Sequence, residues 1–254
     1  MSITRSLAAA LALAAGLTAS MASGAAYAGD SASCQAVRFA DVGWTDIQAT
    51  TAIASVILDA IGYKPETQVL SVPVTYQSLK NKDIDVFLGN WMPSMTANIE
   101  PFLKDKSVES ISTNLTGAGY GLVVPDYVAE AGVKSLTDIG KFKDKFDSKI
   151  YGIEPGNDGN RIVLDMIKDP KSNLKGFELV ESSEAGMLSQ AEKAIRNKDW
   201  IVFLGWTPHP VMGEMKITYL EGMGDSGFGA EDESRKKTSA TTATAATGPA
   251  WRVS

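Results

Sequence analysis

The chain has very few of the side chains on which most catalytic and metal sites depend. Its 254 residues include one histidine and one cysteine, too few for a His/Cys metal cluster. The histidine, His209, stands between two prolines, and we interpret it as a loop residue outside any site. The glycine-rich stretch at 156–160 lacks the Lys-Ser/Thr pair of a phosphate-binding loop. These absences argue against an enzyme and predict neither a metal nor a cofactor.

An excess of positive charge and long apolar runs are also missing. Lysine and arginine total 24 against 30 aspartates and glutamates, a formal net charge of −6 that argues against nucleic acid and anionic membranes. No apolar run is long enough to span a bilayer. The hydrophobic content of 44% and charged content of 21% are typical of a globular chain of one or two domains. The acidic balance is compatible with a cationic ligand.

The first 28 residues have the pattern of a secretory signal peptide. Arg5 supplies the positive start, an apolar run extends from Leu7 to Leu17, and Ala26-Tyr27-Ala28 forms a cleavage site. The pattern predicts export, and we expect a periplasmic location. Cys34 is then unusual, because exported proteins favour paired cysteines. Either it is a free thiol or its partner is missing from this chain.

Alternating apolar runs and amphipathic stretches predict an α/β fold with two lobes, each a mostly parallel sheet flanked by helices. We expect lobe I at 29–115, lobe II at 116–211, and a return toward lobe I at 212–230. From residue 231 to 254 the chain is rich in Thr, Ala and Ser, which predicts disorder. The predicted strands are 36–42, 69–74, 84–88, 115–124, 149–153, 177–181, 200–204 and 217–220, and the predicted helices are 46–61, 76–81, 135–146, 161–168 and 184–197.

One short pattern occurs twice: an apolar run closed by Gly, Trp and Pro, at 83–93 and 199–208. Each copy places a tryptophan, Trp91 or Trp206, just past the carboxyl end of a predicted strand, where open α/β sheets bind ligands. Trp44 follows the first strand, and Tyr120 lies within a glycine-rich strand. A convergent aromatic cluster is typical of sites for quaternary ammonium groups, because ring faces attract a cation that has no N–H.

These segments together resemble the substrate-binding proteins of glycine betaine/choline ABC transporters. The resemblance extends from about residue 36 to 222 and implies a type II periplasmic-binding-protein fold whose lobes close on the ligand. It also implies a monomer that binds rather than converts its substrate and delivers it to permease subunits in the membrane. The segments that carry the resemblance are Gly43-Trp44-Thr45-Asp46, Gly89-Asn90-Trp91-Met92-Pro93, Gly119-Tyr120-Gly121, Glu154-Pro155-Gly156-Asn157-Asp158 and Gly205-Trp206-Thr207-Pro208-His209.

The resemblance also assigns roles to individual residues. Asp46 is expected to face the cation, although a carboxylate at a helix start also complements the helix dipole. Asn157 is expected to hydrogen-bond the hydroxyl of choline. The same family implies a disulfide partner for Cys34 in a C-terminal part that is replaced here, after Met223, by the Thr/Ala tract. The trimethylammonium group is expected inside a box of four aromatic residues, Trp44, Trp91, Tyr120 and Trp206.

Two ligands and one alternative of another functional class remain open at this stage. Choline suits Asp46 and Asn157, which offer a charge and a hydrogen bond to its hydroxyl. Glycine betaine would need donors for its carboxylate, and Arg161, inside a predicted helix start, is the only arginine near these motifs. A periplasmic enzyme acting on a quaternary amine is the alternative of another class, with Asp46 or Glu154 as its only candidate bases.

Overall fold

The computed structural model describes residues 34–222, Phe228 and residues 238–245. The predicted signal peptide at 1–28 lies outside the described residues, and so do residues 223–227. Among the described residues, none of the helices has the length and apolar character needed to cross a membrane.

The first half of the chain alternates strands and helices. Ser71 has an extended backbone, and Pro73 occupies the first turn of the helix that follows. The strand predicted at 69–74 is therefore wrong for residues 72–74, which are helical. The elements of this half are β1 (Ala36–Asp41), α1 (Thr45–Ala60), β2 (Lys64–Val69), α2 (Val72–Asn81), β3 (Val86–Met92), α3 (Thr96–Lys104) and β4 (Val108–Pro125).

The second half repeats the alternation with shorter elements. The helix predicted at 135–146 is a single α-helical turn followed by a 3₁₀ segment, with Phe142 outside helical backbone geometry. The elements are α4 (Asp126–Glu130), α5 (Leu136–Ile139), a 3₁₀ helix (Gly140–Phe146), β5 (Lys149–Tyr151), α6 (Asp158–Lys168), a 3₁₀ turn (Pro170–Ser172), β6 (Glu178–Val180), α7 (Glu184–Asn197), β7 (Phe203–Thr207), α8 (Val211–Glu214), β8 (Ile217–Tyr219) and β9 (Thr238–Ala245).

The strands form two mixed sheets that share β4. The first sheet has the order β2-β1-β3-β9-β4, with β1 parallel to both β2 and β3. The second sheet has the order β4-β7-β5-β6, with β5 parallel to β6 and β7, and β8 beside β4. The partner of β4 changes from β9 at Ala118 to β7 at Gly119, immediately after Gly117, whose φ of 70° suits glycine.

The Thr/Ala tract contributes a strand to the first sheet. Residues 238–245 form β9, antiparallel to both β3 and β4. The prediction of disorder for 231–254 is therefore wrong for these eight residues, and the rest of that segment lies outside the described residues. Low hydrophobicity led to the prediction, but threonine has high strand propensity, and a strand between two neighbours satisfies its backbone on both sides. Ala243 is fully buried there.

Candidate functional site: an aromatic cavity between the two sheets

The four predicted aromatic residues line one cavity. Trp44 precedes α1, Trp91 lies in β3, Tyr120 in β4 and Trp206 in β7, and each side chain is at most 6% exposed. The Tyr120 ring centroid lies 6.0 Å from that of Trp91 and 6.3 Å from that of Trp206. With Ile153 and Asp158 they line one small cavity, whose volume is about 10 Å³. The structure thus brings together residues that are up to 162 positions apart (206 − 44).

Two tryptophans join the sheets through reciprocal hydrogen bonds. The Trp44 indole N–H, at the start of α1, donates to Oε1 of Glu154 at 2.9 Å, across the cavity after β5. The Trp206 indole N–H, in β7, donates to Oδ1 of Asp46 at 3.2 Å, in the first turn of α1. Each sheet therefore supplies an aromatic wall whose N–H is held by a carboxylate of the other. Asp46 therefore lies in the first turn of α1 and contacts Trp206, one wall of the cavity.

Asn157 holds the start of α6 against Tyr120. Its side-chain oxygen accepts from the backbone N–H groups of Gly159 (2.7 Å) and Asn160 (3.2 Å), which makes it the N-cap. The same oxygen accepts from the Tyr120 hydroxyl at 3.2 Å. A Cβ on Gly159 would lie 2.0 Å from that hydroxyl, so glycine is required there. The Asn157 amide nitrogen donates to Oδ1 of Asp158 at 3.2 Å.

Asp158 is a cavity residue that the sequence reasoning missed. Its side chain is 1% exposed, and Oδ2 has no hydrogen-bond partner among the described residues. Asp46 Oδ2 and the Trp91 indole N–H are buried and unpartnered in the same way. Nearby Arg161 is directed elsewhere, because it donates to the backbone oxygen of Ser94 at 3.0 Å. The cavity lining contains no lysine or arginine among the described residues to balance these carboxylates.

Burial makes the carboxylates around the cavity weaker acids. It raises the pKa of Asp46 to about 6, although the Trp206 N–H partly offsets this effect. It raises the pKa of Asp158 to about 6, against the opposing hydrogen bond from Ser94. It raises the pKa of Glu154 to about 7, against the Trp44 N–H. Each group would be stabilised in its ionised form by a cation in the cavity.

His209 lies in the loop between β7 and α8, and it packs against one wall of the cavity without lining it. The side chain is 8% exposed, and its ring centroid lies 4.9 Å from that of Trp206 in an edge-to-face arrangement. Its Nδ1 accepts from the backbone N–H of Val211 at 3.1 Å, and its Nε2 lies 3.1 Å from Oε1 of Glu184. The residue after it, Pro210, is the N-cap of α8.

Local sequence patterns did not predict two further residues at the cavity, Phe228 and Ile153. Phe228, fully buried, packs edge-to-face against Tyr120, with ring centroids 5.0 Å apart. Ile153 adds an aliphatic wall. Among the described residues there is no group of three or more His, Cys, Asp and Glu side chains arranged to hold a metal ion. The site is an apolar box bordered by carboxylates.

A two-sheet α/β protein with an enclosed aromatic cavity between the sheets belongs to the class that captures small ligands. Residues 35–248 match the family described as the substrate-binding domain of ABC-type glycine betaine transport systems. The chain belongs to this family. The predicted fold class is confirmed, and so is the prediction that the protein is a transport binding protein and not an enzyme.

Solved structures support the same assignment at higher similarity. An ABC-transporter choline binding protein in complex with choline is 55% identical, covers 84% of this chain and 73% of its own, and superposes with a TM-score of 0.80. The same kind of protein in an unliganded semi-closed conformation is 55% identical over the same shares, with a TM-score of 0.76. A glycine betaine/L-proline-binding protein from Borrelia burgdorferi is 25% identical over 83% of this chain and 75% of its own, with a TM-score of 0.74.

Proposed function

We propose that the protein captures choline in the cavity between its two sheets and delivers it to the membrane permease of an ABC importer. One observation carries the proposal: four aromatic side chains line a cavity beside the buried carboxylates of Asp46 and Asp158, each of which has one oxygen without a hydrogen-bond partner among the described residues. The choline complex of a 55% identical protein supports it. The predicted export signal fits delivery from the periplasm.

The cavity suits a quaternary ammonium group for electrostatic reasons. Such a cation has no N–H, so it cannot satisfy hydrogen-bond acceptors directionally, but ring faces attract it by roughly 0.5–2 kcal/mol each. The unpartnered oxygens of Asp46 and Asp158 add opposite charge in a region that excludes water. We assign the cation to the box of Trp44, Trp91, Tyr120 and Trp206, with the two aspartates as its counter-charges.

We assign Asn157 to the hydroxyl of the ligand, which it would contact through its amide nitrogen only. Its oxygen already accepts three hydrogen bonds, from Gly159, Asn160 and Tyr120. Its amide nitrogen is therefore the group that would donate a hydrogen bond to the hydroxyl oxygen of choline. To do so it would give up its 3.2 Å hydrogen bond to Asp158. The hydroxyl proton would then face the Asp158 carboxylate.

Glycine betaine is the second candidate, and the carboxylates favour choline over it. A betaine carboxylate would enter a space bordered by Asp46, Glu154 and Asp158, with no lysine or arginine in its described lining. Arg161 does not compensate, because its guanidinium donates to the Ser94 carbonyl. Like charges at such short range are unfavourable by several kcal/mol when partly desolvated, on the order of the Coulomb energy at an effective dielectric of about 20.

A calorimetric titration tests the proposal directly. We expect choline to bind the chain from residue 29 onward at least about tenfold more tightly than glycine betaine, equivalent to about 1.4 kcal/mol. Acetylcholine tests the size of the cavity, since it keeps the cation and adds bulk. Equal binding of choline and betaine, or no heat with either from a sample that circular dichroism shows to be folded, would contradict the proposal.

Choline affinity should rise with pH, because the cation requires ionised carboxylates. Asp46 and Asp158 have pKa values of about 6 and Glu154 about 7. Choline keeps its charge at every pH, so protonation of the protein alone should weaken binding by at least about tenfold between pH 8 and pH 5. The choline-to-betaine preference should narrow over the same range. Titrations in buffers of different ionisation enthalpy should show proton release on binding at pH 6, and a pH-independent affinity would refute the assignment.

The free energy of unfolding of the unliganded chain should fall as pH rises, whereas choline affinity rises. Raised carboxylate pKa values mean that the folded chain binds more protons than the unfolded chain between roughly pH 4 and pH 7. This contribution to the free energy of unfolding is full below pH 4 and is lost as pH rises through the folded-state values of about 6 and 7. Thermal denaturation of the unliganded chain should therefore show a lower melting temperature at pH 8 than at pH 5. Choline, which binds the ionised form, should raise the melting temperature more at pH 8 than at pH 5.

A further inference from the structure

One buried carboxylate outside the cavity connects two of its walls. Glu184, the first residue of α7, is 6% exposed. Its Oε2 accepts the backbone N–H of Thr45 at 3.0 Å, and its Oε1 accepts the Thr45 hydroxyl. The same Oε1 lies 3.1 Å from Nε2 of His209. We call this set of contacts, Thr45–Glu184–His209, the Glu184 clamp.

The clamp acts on cavity residues at both of its ends. Thr45 stands between Trp44, which forms one wall, and Asp46, which accepts the N–H of Trp206. At the other end the ring of His209 packs 4.9 Å from Trp206. Thr45 begins α1 beside the first sheet, whereas Glu184 and His209 flank strands of the second. A single carboxylate thus fixes the turn that carries Trp44 and Asp46 relative to Trp206.

Thr45 begins α1 without capping it. The N-cap is Trp44, and Thr45 is the first helical residue, with no side-chain cap hydrogen bond at this terminus. The first N–H groups of a helix have no partner within the helix. The N–H of Thr45 is therefore satisfied by Glu184 across the sheets, and its hydroxyl adds a second bond to the same carboxylate.

The hydrogen bonds to Glu184 keep its carboxylate ionised. Burial acts to raise its pKa, but the hydrogen bonds from His209 and Thr45 outweigh burial and hold the pKa below its ordinary value. The carboxylate is thus ionised under the conditions in which the cavity carboxylates are partly protonated. Because His209 Nδ1 accepts from Val211, the ring presents an N–H at Nε2 to Glu184.

We propose that Glu184 is a positioning residue, which holds the Trp44–Asp46 turn and Trp206 in the arrangement that retains the ligand. It is not among the residues that line the cavity. The inference rests on the proposed function for its ligand readout. The contact between the sheets slows escape of the ligand, because release requires the clamp to break.

The main test compares dissociation of choline from the wild-type chain and Glu184→Gln. The amide keeps the shape but places N–H donors against the Thr45 donors, so the dissociation rate should rise about tenfold or more, with a smaller change in the association rate. Stopped-flow tryptophan fluorescence measures both. Glu192→Gln on the exposed side of the same helix is the matched control and should leave both rates unchanged. An unaltered dissociation rate in folded Glu184→Gln would overturn the proposal.

Amide hydrogen exchange tests the clamp without any ligand. The N–H of Thr45 reports it directly, and the N–H of Gln48, bonded to the Trp44 carbonyl at 2.8 Å, is an internal reference one turn later. Glu184→Gln should accelerate exchange at Thr45 about tenfold and leave Gln48 unchanged. Equal acceleration at both would indicate general loosening of the helix and refute a specific positioning role. If the wild-type chain fails to bind choline, the proposed function fails while this measurement still decides the clamp.

A second variant covers the case in which Glu184→Gln does not fold. Thr45→Val keeps the side-chain shape and removes one donor to Glu184 while retaining the backbone bond. It should raise the dissociation rate by a smaller factor, about threefold. Because the two changes break one contact, their combination should exceed Glu184→Gln alone only slightly. Fully multiplicative effects would show that the residues act independently and would overturn the clamp.

Discussion

Trp206→Ala is expected to lower choline affinity by roughly 2–4 kcal/mol, or about 30- to 1,000-fold. The variant removes one ring face from the cavity and the N–H that Asp46 accepts at 3.2 Å. It also leaves His209 without the ring it packs against. Several losses therefore coincide in one side chain, which is why the expected effect exceeds that of a single cation–π contact. Isothermal titration calorimetry with choline at pH 8 measures it.

Trp200→Ala is the matched control for that experiment. Trp200 is half-buried, packs 5.3 Å from Phe142 and 5.4 Å from Phe146, and lies outside the cavity. Its removal should lower the melting temperature and leave choline affinity unchanged. Trp206→Phe separates the two contributions, since it keeps a ring face and removes the N–H. Equal affinity losses for Trp200→Ala and Trp206→Ala would show that the effect comes from general destabilisation.

The aromatic set could be predicted from sequence because its positions follow local rules. Trp91 and Trp206 each lie one residue before the end of β3 and β7, with a Gly one or two residues before and a Pro two residues after. The predicted strands ended at residues 88 and 204, four and three residues before the observed ends, and this error does not move the tryptophans from that edge of the sheet. Trp44 likewise follows β1 directly. Strand ends in α/β sheets converge, so a local pattern was sufficient to group these residues.

The charged part of the site could not be predicted in the same way. Asp158 lies within a recognised motif, but only the packing of α6 against Tyr120 shows that its carboxylate is buried and unpartnered. Glu184 begins an amphipathic helix, where a glutamate is ordinarily a solvated residue that complements the helix dipole. Its partner Thr45 is 139 positions away. Such pairings depend on how the two sheets face each other, which no periodicity encodes.

The position of β9 shows a related limit. Composition correctly indicated that residues 238–245 lack apolar surface, but it could not show an open edge available between β3 and β4. Backbone hydrogen bonds stabilise a strand irrespective of side-chain hydrophobicity when neighbours on both sides supply donors and acceptors. Its pairing with β4 extends from Val108 to Ala118, directly before the residues that form the cavity. The tract therefore supports the strand that carries Tyr120.

Asp158→Asn is expected to change stability and affinity in opposite directions. At pH 8 the buried carboxylate is ionised although burial raises its pKa from 3.8 to about 6, a penalty on the order of 3 kcal/mol. Asparagine removes that charge, keeps an oxygen for the Asn157 contact, and should raise the free energy of unfolding of the unliganded chain by about 1–3 kcal/mol. The same substitution removes a counter-charge from the cavity and should weaken choline binding by roughly 2–4 kcal/mol.

Asp165→Asn is the matched control for the opposite changes in stability and affinity expected of Asp158→Asn. Asp165 lies on the same helix, is exposed, and makes ion pairs of 3.6 Å with Arg161 and Lys168. Its replacement should change neither the free energy of unfolding nor the free energy of choline binding by more than about 0.5 kcal/mol, because exposed ion pairs contribute little to stability. The free energies of unfolding of the wild-type and Asp158→Asn chains should converge below about pH 4, where Asp158 is protonated in both the folded and the unfolded chain. If Asp158→Asn destabilised the unliganded chain at pH 8, the carboxylate would be a structural element, and its unpartnered oxygen would not be reserved for a cation.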